Sequence, residues 1–147
     1  METGLQHAHS GLRWILLLLL VFSVIKAFSG RGGNTRFFDK TRKLALFTLI
    51  FAHLQLLLGF ALYFIKGYYK LLNAQGMSDK MTRFLGVEHM VGMLIAIILI
   101  TVGYKKIKAG ETDGKKFKSM FSYYGIALLL ILASIPWPFR FAQYGWF

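Results

Sequence analysis

The chain reads as an all-α integral membrane protein, a bundle of four transmembrane helices, and three observations predict it. The 147 residues are 56% hydrophobic and 16% aromatic, and a mean hydropathy of +0.52 lies outside the range of soluble globular domains. Four apolar stretches, about 5–28, 44–65, 84–104 and 119–135, each approach the roughly 20 residues a helix needs to cross a hydrocarbon core. Basic residues border these stretches and seldom interrupt them. The whole of 1–147 is then one transmembrane domain, with no repeat and no linker.

The first stretch carries Glu2, lacks a basic start and has a long apolar core, so it reads as a span and not as a cleavable signal. Gly30 to Gly33 make a turn into the second stretch, and Gly110 to Gly114 make another before the fourth. Neither follows a strand, so neither cradles a nucleotide phosphate. The fourth stretch is short unless its aromatic tail is counted. In that tail Ile135-Pro136-Trp137-Pro138-Phe139-Arg140, followed by Tyr144 and Trp146, ends the helix and lays aromatic rings at the membrane interface. The rings serve either as an anchoring belt or as a lid over an outer site.

Charge sets the orientation. The net charge is +12, which in a soluble protein would suggest nucleic acid. Here lipid headgroups and topology account for it, and no nucleic-acid partner is expected. Lys26, Arg31, Arg36, Lys40, Arg42 and Lys43 gather after the first span, and Lys105, Lys106, Lys108, Lys115, Lys116 and Lys118 after the third. Those twelve of eighteen basic residues face one side, against Arg13, Lys66, Lys70, Lys80, Arg83 and Arg140 on the other. The positive-inside rule puts the dense loops in the cytoplasm and both termini on the outer, periplasmic side of a bacterial inner membrane.

Three of the four histidines, His9, His53 and His89, lie in or at the lip of apolar stretches. An ionisable group at that depth is costly and marks a functional site by default. Imidazole is also an axial ligand of haem iron, and the absence of cysteine excludes thiolate ligation and covalent c-type haem. At about 1.5 Å of rise per residue from the inner helix ends, His9 stands roughly 27 Å up, His89 roughly 22 Å and His53 roughly 14 Å. His9 and His89 are therefore the expected axial and metal-binding pair, with His53 the alternate ligand, a proton or quinone contact, or a structural residue bonded to Thr48 or Ser23. His7 is expected at the outer surface.

Arg13, four residues after His9, and Arg83 and Arg140 from the same side are candidate partners for haem propionates, or they snorkel to lipid phosphate. Glu88 either moves a proton or pairs with Arg83. Gly86, Gly92, Met93, Ala96 and Gly103 form a stripe of mostly small residues near His89 that admits either a flat ring or a neighbouring helix.

The segments His9-Ser10-Gly11-Leu12-Arg13-Trp14, His53-Leu54-Gln55-Leu56-Leu57-Leu58-Gly59, Glu88-His89-Met90-Val91-Gly92-Met93 and Ile135-Pro136-Trp137-Pro138-Phe139-Arg140 resemble those of a bacterial family of small four-span membrane proteins loosely described as cytochrome b-like. The resemblance covers nearly the whole chain. In size and span number the chain is also similar to the HemJ-type protoporphyrinogen oxidases, an architectural likeness that transfers no catalytic residue. Three functions follow as expectations. The first is a b-type haem protein that transfers electrons near the outer face, with a quinone or a respiratory complex as partner. The second is an accessory subunit or assembly factor of a larger membrane complex, and the third a HemJ-like porphyrinogen oxidase.

Overall fold

The computed structural model describes residues 2–141; among them the chain is almost wholly helical, without a strand. Four helices, α1 (Glu2–Gly30), α2 (Asp39–Ile65), α3 (Lys80–Ala109) and α4 (Asp113–Ser134), are long and apolar enough to cross a membrane. Each begins before the apolar stretch that predicts it, because an apolar run marks the hydrocarbon depth and a helix continues into the headgroups where its flanking side chains are solvated. The start of α4 is built by such residues: the Thr112 side chain accepts from Lys115 N at 3.2 Å, and Asp113 lies in the first turn, where the helix dipole favours an acid.

Helix ends follow local chemistry. Beyond α2, Gly67 takes a left-handed conformation (φ 67°) that most side chains avoid. A 3₁₀ turn (Tyr68–Leu71) and a short helix (Ala74–Ser78) then lead to α3. α4 stops at Ser134 because Ile135 precedes Pro136 and is extended (φ −74°, ψ 135°), as a residue before proline prefers. Three side chains take up the carbonyls this ending would orphan. Trp137 Nε1 donates to Leu132 O (2.8 Å), Arg140 Nη1 to Ala133 O (2.9 Å) and His89 Nδ1 to Ser134 O (2.7 Å).

The helices form a ring in which α1 packs on α2 and α4, and α3 on α2 and α4. Packing is inverted relative to a soluble bundle. Ala27, Ala45, Ala52, Ala96 and Ala127 are fully buried, whereas Leu18, Phe22, Leu57 and Leu129 are more than half exposed. Small residues between helices and large apolar ones outside are what a lipid solvent selects. The end of the bundle with the basic loops is closed by Phe37 on Phe117, ring centres 4.8 Å apart. Both ends of the described chain lie at the opposite end, where Trp14 meets Trp137 at 6.3 Å.

Candidate functional site

At that second end a cavity of about 180 Å³ opens between α1, α2 and α3, with Ile131 and Pro136 completing its wall. His9 from α1 and His89 from α3 both line it. These helices are diagonal in the ring, so the two imidazoles meet across the bundle axis, with ring centres 6.5 Å apart and planes at 70°.

His89 owes its orientation to a feature the sequence does not advertise. Phe84–Glu88 form a π-helical turn inside α3, and the His89 amide donates to Phe84 O, five residues back. One extra residue in a turn advances every following side chain by about 100°, a device common at functional sites. The Phe84 ring is buried by it and lies 6.4 Å from the His89 ring. Because a carbonyl only accepts, the bond to Ser134 O assigns the proton to His89 Nδ1 and leaves Nε2 bare. On the opposite wall Gly59 lets His9 lie against α2: a Cβ there would stand 3.2 Å from His9 Cε1. Gln55 reaches over from α2, its Nε2 donating to His9 O at 2.9 Å.

Arg13 lines the cavity one turn below His9 and stacks its guanidinium near the Trp14 ring (5.4 Å). At the end of α2, Lys66 Nζ donates to Gln6 Oε1 (2.6 Å) and lies 3.9 Å from a Glu2 carboxylate oxygen. Lys66 and Gln6 also line the cavity.

The other expected site residues go elsewhere. His53 is exposed on the outer surface of α2, its Nδ1 on Leu49 O at 2.9 Å, and it lines no part of the cavity. The expected bond from His53 to Thr48 or Ser23 is also absent. Those two hydroxyls bond each other at 3.0 Å, and Thr48 donates to Leu44 O. Arg83 pairs with Glu88 at 3.1 Å, both half exposed. Arg140 sits over Phe84 (5.1 Å) and donates to Ala133 O, away from the cavity lining. In the small-residue stripe, Gly92 packs against the Ser134 side chain and Gly103 against Tyr123, so these two serve the α3–α4 contact. Tyr144 and Trp146 lie outside the described residues. Sequence reasoning missed Gln55, Gly59, Gln6 and Lys66 as parts of the site; a glutamine within an apolar span was the one signal present.

Among the described residues no three or more of His, Cys, Asp and Glu form a metal-binding group. Two imidazoles fall short of the three protein ligands of a catalytic zinc site. Two imidazoles could serve as the two protein ligands of a haem, whose ring supplies the other four nitrogens. Their ring centres, 6.5 Å apart with planes at 70°, lie within the range of a direct edge-to-face ring contact and leave both imidazoles in reach of one shared site. The enclosed 180 Å³ is less than the roughly 300–1,000 Å³ of sites that surround a whole ligand.

The fold and this cavity define a multi-pass helical membrane protein with a facing histidine pair in its interior. Comparison with known protein families, curated proteins and solved structures returns no match.

Proposed function

We propose that this chain is a b-type haem protein of a bacterial inner membrane, with His9 and His89 as axial ligands and electron transfer as its role. The observation that carries the reading is the separation of the two imidazoles, 6.5 Å across the bundle axis. A haem held by His9 and His89 would supply a one-electron couple, the chemistry of electron transfer. Ser134 O holds the proton on His89 Nδ1, which keeps Nε2 available and raises its basicity. Arg13 and Lys66 bring positive charge to the lining, suited to the carboxylates of a porphyrin. Leu16, Leu56, Met93 and Ile97 give the cavity an apolar wall. Twelve basic residues at and around the two connections of the far end support an orientation with the cavity and both termini on the periplasmic side. A lipid-soluble quinone or a larger respiratory complex fits as redox partner for a site at this depth.

One optical spectrum tests the proposal. Protein purified from haem-replete cells is expected to be red, with a sharp low-spin α band after dithionite. A colourless preparation that takes up no added haem overturns it.

A further inference from the structure

We infer that the open groove between α3 and α4 at the basic-loop end holds one anionic phospholipid, with its phosphate on Lys106 and Lys118, its glycerol on Ser119 and Ser122, and its acyl chains along Ile126 and Leu129. The groove lies at the opposite end of the bundle from the histidine pair, and the inference does not depend on the haem reading.

The groove has a volume of about 470 Å³ and is lined by Lys106 from α3, by Lys115, Lys118, Ser119 and Ser122 from α4, and by Glu111 from the turn between them. Three lysines thus stand against one carboxylate. Glu111 is taken by Lys115 at 2.6 Å, whereas Lys106 and Lys118 have no ion pair among the described residues. The hydroxyls are uncommitted as well. Elsewhere in the bundle such groups bond back to their own helix, as Ser29 Oγ does to Ile25 O and Thr101 Oγ1 to Ile97 O, each at 2.8 Å. Ser119 and Ser122 make no hydrogen bond among the described residues.

The order of these groups along α4 selects a lipid over a free anion. Lys115, Lys118, Ser119, Ser122, Ile126 and Leu129 recur at steps of three and four residues, so they share one face of the helix. From the helix start inward that face presents cations, then hydroxyls, then apolar side chains, with Ile126 52% and Leu129 68% exposed. At about 1.5 Å per residue, Lys118 and Ser122 are roughly 6 Å apart in depth, which matches a headgroup layer of about 5–7 Å per leaflet. A free phosphate would use the cations alone.

The other flank of α4 shows the contrast. Against α1, at the same depth, Phe28 packs on Phe121 (5.7 Å) and the Arg31 guanidinium lies over both rings (4.2 and 5.0 Å). Protein fills that seam and engages its cation. Lys106 and Lys118 have no such ring partner among the described residues, and basic pockets between transmembrane helices are where anionic headgroups bind.

The test is lipid titration of the full-length protein in a non-ionic detergent, read by native mass spectrometry. Phosphatidylglycerol is the anionic probe, phosphatidylcholine the zwitterionic one and inorganic phosphate the free anion. One phosphatidylglycerol should bind per chain, more tightly than either of the others. Lys106→Gln with Lys118→Gln should weaken it at least about tenfold, the scale of two cations near an anionic lipid, and Ser119→Ala with Ser122→Ala by a smaller factor. Lys26→Gln with Lys40→Gln removes the same charge from the same end outside the groove and should leave binding nearly unchanged. All four lysines are exposed, so the variants should melt as wild type does without lipid; phosphatidylglycerol should then raise the melting temperature of wild type and not of the Lys106 and Lys118 variant. Equal losses in the two lysine pairs, no loss in the groove lysines or in the serines, or phosphatidylcholine or inorganic phosphate binding as tightly as phosphatidylglycerol overturns the inference.

Discussion

The two ends of the bundle are made of the same helices and handle their polar atoms in opposite ways. At the basic-loop end buried hydroxyls are answered by protein: Ser23 bonds Thr48 (3.0 Å), Thr48 donates to Leu44 O (2.9 Å), and Tyr124 OH donates to Ala45 O (2.9 Å). Phe117, Met120 and Ile107 fill the space around them. At the histidine end Gln55 Oε1 and His9 Nδ1 are buried without a partner among the described residues, beside a cavity. An unsatisfied buried acceptor costs about 1–3 kcal/mol, so the histidine end carries a cost that the hydroxyl bonds of the other end avoid. The first end is packed; the second holds a cavity and, on the reading proposed above, the site.

That contrast can be broken from either side. The larger effect is expected at the site. Gly59→Val places a branched side chain where a Cβ alone would stand 3.2 Å from His9 Cε1, and pushes the ring off the axis it shares with His89. Haem affinity should fall at least about tenfold, equivalent to about 1.4 kcal/mol, while thermal unfolding of the haem-free protein moves little. Haem titration followed by absorbance checks the first statement and a melting curve in detergent the second. Unchanged affinity would show that His9 has slack, and the site would lose its claim to be preformed.

The smaller effect is expected in the packed end. Tyr124→Phe removes one interhelical hydrogen bond between α4 and α2 and leaves the volume in place. Stability should fall by about 1 kcal/mol, the usual scale for such bonds in membranes, with haem affinity unmoved. A large loss of haem from this variant would mean that the two ends are coupled, and the division drawn above would fail.

How much of this was legible in the sequence divides along the same physical line. The four spans could be read because lipid demands long apolar runs, and the level of His9 with His89 because helical rise is constant. Azimuth could not be read. Spans that are apolar nearly all round give no periodicity from which to tell the buried face, so His53 and Gln55, two residues apart, could not be sorted into lipid and cavity by composition. Spacing did put them on different sides of α2, and packing decides which side is inside. The π turn at Phe84–Glu88 is the clearest gap: it has no proline to announce it, yet it sets the direction of His89. Arg140 lies off the cavity lining for a different reason. The proline that ends α4 creates orphan carbonyls, and a nearby guanidinium answers them before it answers a ligand.

The most direct test of the central claim is the haem stoichiometry of three single variants, His9→Ala, His89→Ala and His53→Ala, expressed and purified alongside wild type. The facing geometry of His9 and His89 predicts that His89→Ala abolishes haem retention and that His9→Ala nearly does, while His53→Ala, on the lipid-facing surface of α2, keeps one haem with a low-spin spectrum. If His53→Ala strips the haem and His9→Ala leaves the spectrum intact, the axial pair assigned here is wrong.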